Sequence, residues 1–121
     1  MSEYHEAYEA LPEEARDFHR ALKSLMEELE AVDWYHQRIA VTSDDSLKAV
    51  LAHNRDEEIE HACMLVEWLR RNMPGWDDEL RDYLFTEKPI HELEDDDDES
   101  EEPAGGEGSR SLNIGSLKGG E

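Results

Sequence analysis

Two stretches of the chain carry apolar residues stepped by three and four, and that period dictates amphipathic helices. The first runs Phe18, Leu22, Leu25, Leu29, Val32 and Ile39; the second runs Leu47, Leu51, Asn54, Glu58, His61, Leu65 and Trp68. The second constrains the fold more, because Asn54, Glu58 and His61 occupy the middle of its apolar face. Glu57, Glu60 and Glu67, meanwhile, project outward. A carboxylate held on an apolar face must be paired or neutralised, since burying it unpaired costs several kcal/mol. Glu58 therefore needs a partner. On the first helix Glu28 falls at the edge of the stripe, close in angle to Ala21, Val32 and Ile39, with Tyr35 one step further along that edge. Glu27, Glu30 and Trp34 project from the far side.

The surrounding signals bound these helices. Pro12 with Glu13 and Glu14 starts the first, a good first-turn residue followed by acids at the positive end of the dipole. It runs to about Ala40. Thr42 and Ser43 break the chain, and Ser43 before Asp44 and Asp45 is the expected N-cap of the second helix. That helix runs to about Asn72, with Arg70 and Arg71 in its last turn and Pro74-Gly75 as a stop. W-D-D-E-L-R-D-Y-L-F reads as a short third helix with Trp76, Leu80, Tyr83 and Leu84 on one face, ended by Pro89. There is no strand pattern and no internal repeat. The expectation is an all-α domain over residues 12–91, preceded by a polar lead-in at 1–11 with one short helical turn. An acidic, Gly-containing flexible linker follows at 92–109, and a separate terminal segment at 110–121.

Charge narrows the partners. The 121 residues carry 33 acids against 12 Lys and Arg, a formal net charge of −21. Nucleic acid is disfavoured because its phosphates would be repelled; cations and basic partners suit this surface. The excess deepens in the linker, where Glu92 to Glu102 holds nine acids and no base. Such a composition buries too little apolar surface to order itself, whereas leucine and isoleucine return in S-L-N-I-G-S-L-K. No apolar run approaches the ~18 residues of a membrane span, and the N-terminus lacks a signal-peptide pattern. Cys63 is the only cysteine, so a reducing cytosol is the expected compartment.

Glu58 and His61 stand one helical turn apart on one face, as a shared metal ion requires. Helical Glu-x-x-His, joined by a Glu from a neighbouring helix, is half of a carboxylate-bridged di-iron site in a four-helix bundle. A complete site needs two single glutamates and two such pairs. This chain supplies one of each, so two chains would complete it. Two copies of Glu28 and Glu58 then carry four negative charges against the four positive charges of two Fe(II). With 21 Glu and 6 His, about one Glu-x-x-His arises by chance, so the placement on the apolar stripe carries the argument. The alternative is a buried Glu–His hydrogen bond that stabilises a helical dimer. His5, His19, His36, His53 and His91 have no partner at ligand spacing.

M-E-E-L-E-A-V-D-W-Y, A-H-N-R-D-E-E-I-E-H, E-W-L-R-R-N and Y-L-F-T-E-K-P-I closely resemble the encapsulated ferritins, ferroxidases packaged inside encapsulin nanocompartments. The resemblance covers roughly residues 16–94, and the terminal L-N-I-G-S-L-K looks like an encapsulin-targeting peptide. It implies two long antiparallel helices and a short third one, dimerising into a ferritin-like four-helix bundle. The dimers would assemble into a ring, a pentamer of dimers. It further implies a di-iron centre between two subunits, with Glu28, Glu58 and His61 as ligands and Tyr35 beside them. Glu27 and Glu30, near Trp34, match acidic residues that attract or pass metal, with calcium as a further divalent cation they could hold. The implied function is oxidation of Fe(II) to Fe(III) by a cytoplasmic cargo of the encapsulin shell, which stores the mineral. A non-catalytic metal-binding helical adaptor is the alternative, and manganese or zinc would also suit the ligand types.

Overall fold

The computed structural model describes residues 3–94, and these are helical: α1 spans Glu13–Val41, α2 spans Asp45–Asn72 and α3 spans Trp76–Tyr83. Short 3-10 turns at Tyr8–Ala10 and Ile90–Glu92 flank them. Among the described residues there is no strand. The chain divides after Leu69 into two compact units.

In the first unit α1 and α2 pair side by side. Phe18 meets Trp68 edge-on at 6.2 Å, Glu28 lies 3.6 Å from His61, and Arg55 reaches His36 at 3.2 Å. As residue number rises along α1 the partner's number falls along α2, which makes the hairpin antiparallel. Thr42–Asp44 joins the helices. Here the structure corrects the expected cap: Asp44, not Ser43, caps α2. Its Oδ1 accepts from Leu47 N at 2.8 Å, and its carbonyl accepts from Lys48 N at 2.9 Å. Thr42 Oγ1 in turn accepts from Asp44 N at 3.2 Å, which fixes the turn. An Asp at this position satisfies an orphan amide and adds negative charge at the helix start, so it outcompetes the adjacent serine.

The apolar stripes form only part of a core. Leu25 and Ala62 are the first unit's buried residues besides Leu69, while Phe18, Leu22, Val32, Ile39, Leu51 and Leu65 are half-buried. Met26, Leu29 and Met64 stay 60, 54 and 63% exposed, and Val50 and Ile59 are exposed too. Leu29, Leu47 and Trp68 belong to the expected stripes yet lie open, because two helices can cover only one side of each other. Glu67 departs from its expected outward placement and is half-buried.

The lead-in packs onto α1 through contacts that composition hides. The Arg16 guanidinium lies 3.7 Å over the Tyr8 ring and donates to the Tyr8 carbonyl at 2.6 Å. Tyr4 stacks on His19 at 4.3 Å, and Lys23 pairs with Glu3 at 3.2 Å.

In the second unit, Arg70 and Arg81 both reach Asp77, at 2.6 and 3.0 Å, and hold its carboxyl below the usual carboxylate range. Gly75 precedes α3 at φ 103°, a left-handed conformation that glycine adopts without a Cβ penalty. The third helix ends at Tyr83, two residues before its expected limit, and Phe85 follows at φ 62° with its ring fully exposed. Leu93, at the start of the expected acidic linker, is buried. Residues 95–109 of that linker and the terminal segment 110–121 lie outside the described residues.

Candidate metal centre

Glu28 arrives from α1, and Glu58 and His61 from successive turns of α2, so the antiparallel pairing brings one α1 carboxylate opposite one Glu-x-x-His turn. Glu58 Oε1 lies 3.2 Å from His61 Nδ1, and Glu28 Oε1 lies 3.6 Å from the same nitrogen. One ligand atom from each of the three residues falls within 4.8 Å of the others. Both glutamates are 25% exposed at the side chain and His61 is 45% exposed. Each residue is thus reachable from solvent but held against the helix pair.

The electrostatics are those of anions pressed together. Glu28 is pushed up, first by its hydrogen bond with Glu58 and then by desolvation. Glu58 is pulled down by its hydrogen bonds with Glu28 and His61. His61 is pushed up, chiefly by its hydrogen bond with Glu58. Without a cation, Glu28 and His61 therefore keep their protons to a higher pH than the free side chains would. A first-row divalent ion would take the place of those protons. With ligand bonds of about 2.0–2.2 Å it needs donors about 3–4 Å apart, and the contacts here match. Two carboxylates and a neutral imidazole suit iron, manganese or zinc, so the residues present fit a metal.

The EncFtn-like family model matches residues 3–87. The chain belongs to the EncFtn-like family. This EncFtn-like chain is 58% identical over 105 residues to the "Ferritin-like protein" of Thermotoga maritima, spanning 87% of this chain and 92% of that protein. It is 54% identical over 122 residues to the "Encapsulated ferritin-like protein" of Rhodospirillum rubrum, spanning 95% of this chain and 87% of the relative. The crystal structure of protein ne0167 from Nitrosomonas europaea superposes with a TM-score of 0.71 at 61% identity, covering 74% of this chain and 98% of that one. The resemblance to encapsulated ferritins read from the motifs is borne out, and it brings a ferritin-like, iron-related function.

Not every residue singled out in the sequence joins the cluster of the EncFtn-like chain. Glu27, Glu30 and Glu60 are exposed. Trp34 is half exposed and lines an open groove of about 340 Å³ with Gln37 and Arg38. Tyr35 is half-buried, with the Arg38 guanidinium 5.6 Å over its ring. It stands seven residues beyond Glu28, about 10 Å along the helix axis. Glu57, assigned outward by its phase, is exposed as expected, yet its carboxylate comes within 4.0 Å of His61 Nε2. The four-residue step from 57 to 61 was the available signal. Among the described residues, no helix is long and apolar enough to cross a membrane.

Proposed function

We propose that the chain is a ferroxidase, and that its di-iron centre forms where two copies pair. The observation that carries this reading is the cluster of Glu28, Glu58 and His61, which gathers half of a carboxylate-bridged ligand set in one chain. The open apolar surface of the helix pair, including Met26, Leu29 and Met64, supports a second hairpin completing a four-helix bundle. In this reading Fe(II) is the substrate. One electron leaves each of two ions for dioxygen or peroxide, and Fe(III) is the product.

The protein's part is geometry and charge. Glu28 and Glu58, in their deprotonated forms, would neutralise the ions, with carboxylates able to bridge or bind singly. His61 offers a neutral nitrogen once its raised proton has left. Tyr35 stands beside the centre when the second copy is in place, and Glu27 and Glu30, near Trp34, draw cations in, calcium included. The dimers close into a ring, a pentamer of dimers, and residues 110–121 address it to an encapsulin shell in the cytoplasm, where the mineral is stored. The word "Encapsulated" in the name of the R. rubrum relative supports that last step.

Aerobic oxidation of Fe(II), followed by absorbance of the ferric product, tests the reading. Glu58→Ala and His61→Ala should abolish the rate above buffer, and Glu60→Ala should retain most of it. A wild-type protein no faster than buffer would leave a metal-binding adaptor in place of an enzyme. Equal rates in all three variants would move the centre elsewhere.

A further inference from the structure

Each imidazole nitrogen of His61 faces its own set of carboxylates. Nδ1 is the inner one, 3.2 Å from Glu58 and 3.6 Å from Glu28. Nε2 turns the other way, 4.0 Å from Glu57 Oε1. The second Glu57 oxygen lies 3.8 Å from His53 Nε2, one turn back on α2. Glu57 is thus bracketed by two imidazoles, on the side of His61 away from the candidate ligands.

Two requirements meet at this ring. A histidine that binds a metal through one nitrogen must carry its proton on the other, and a carboxylate accepting that proton fixes both tautomer and ring orientation. At 4.0 Å the contact is an ion-pair separation and longer than a hydrogen bond. The Glu57 side chain is about half exposed, so its outer bonds are free to rotate toward the ring without a change in backbone. Glu60, also exposed and on the same helix, makes no hydrogen bond or ion pair with the ring among the described residues and serves as a control of equal charge.

We infer that Glu57 is a positioning residue for His61: its carboxylate accepts from Nε2–H and thereby presents Nδ1 to the metal shared with Glu28 and Glu58. This rests on the metal-centre reading above. Glu57 touches no metal in this role and acts only through His61. His53 steadies Glu57 from the other side.

Zinc binding, with no redox step, tests the inference on the full chain. Titration calorimetry with Zn(II) is run on wild type, Glu57→Ala, Glu57→Gln, Glu60→Ala and Glu58→Ala. The 15N shifts of His61 in the zinc-loaded protein report which nitrogen carries the proton. Glu57→Ala should weaken zinc about 10- to 100-fold, the range for loss of an outer partner of a ligating histidine, and should mix the His61 tautomers. Glu57→Gln keeps an acceptor oxygen and should restore both the affinity and the single Nε2–H tautomer. Glu60→Ala should resemble wild type. If Glu57→Gln falls as far as Glu57→Ala, charge alone is at work and the positioning role is overturned. If Glu58→Ala loses zinc while Glu57→Ala keeps wild-type affinity and tautomer, the inference fails and the metal centre stands. If both keep their zinc, the centre itself is misplaced.

Discussion

Lowering the pH should expel metal from the Glu28–Glu58–His61 cluster in steps that count its protons. In the metal-free chain His61 holds a proton above its ordinary value of 6.5, chiefly through the hydrogen bond to Glu58. Glu28 holds another above the ordinary 4.5, through its hydrogen bond with Glu58 and through desolvation. Glu58, depressed by the same contacts, gives up its proton first. A cation requires all three groups in their deprotonated forms. The sign follows from the direction of each shift. A raised group still holds its proton at a pH where the free side chain would have lost it, so metal must displace that proton and binding weakens as pH falls. Above both raised values nothing is displaced and affinity is flat. Between them one proton leaves, and affinity falls about tenfold per pH unit; below both, two leave and it falls about a hundredfold. Calorimetric titration with Zn(II) in two buffers of different ionisation enthalpy measures the proton count directly. We expect about one proton released per chain near pH 6, approaching two as the pH drops toward about 4.5. Zero release at about pH 6, or affinity that rises on acidification, would refute the competition between metal and protons at this cluster.

Metal should also drive assembly, because facing carboxylates cannot all stay ionised across an interface without a cation. Light scattering at fixed salt should show the mean oligomer growing as Fe(II) is added without oxygen, and a size distribution indifferent to metal would remove the linkage. Deleting residues 110–121 should leave oxidation by the purified protein intact but prevent loading into encapsulin; normal cargo per shell after co-expression would mean that the address lies elsewhere. Asp44→Ala should cost about 1 kcal/mol, the usual loss for a helix cap, while Ser43→Ala should fall within about 0.5 kcal/mol of wild type. Urea melts of the two variants check this, and equal losses would refute Asp44 as the cap.

Helical phase carried far in this chain because its informative residues sit on long, regular elements. At 100° per residue, Glu28 and Glu58 separate cleanly from Glu27, Glu57 and Glu60, and the structure gathers the first two with His61. Phase says nothing of how far a flexible side chain leans, and so only the four-residue step from Glu57 to His61 hinted at the approach to Nε2. The packing of the lead-in was missed for a related reason. Arg16 and Tyr8 are both polar by composition, and only their geometry makes a cation–π contact. Ser43 and Asp44 are both good caps, and the choice between them depends on which one reaches the Leu47 amide. The open faces of Leu29 and Leu47 followed from the count of helices, since a stripe marks where apolar cover is needed without saying that the same chain provides it.

The antiparallel hairpin has a consequence in time. Glu28 and the Glu58–His61 turn are joined through the short link Thr42–Asp44, so they meet by a local chain closure. Helix–helix pairing of that kind belongs to the fast, low-contact-order class, on a microsecond to millisecond scale. Encounter with a second chain is bimolecular and slows as protein is diluted. If the proposed two-chain centre forms, each newly made chain would present a half-set of ligands during the interval before it finds a mate. Under the proposed function, cation concentration would then set how long that interval lasts, which would make iron supply a clock for maturation as well as a substrate.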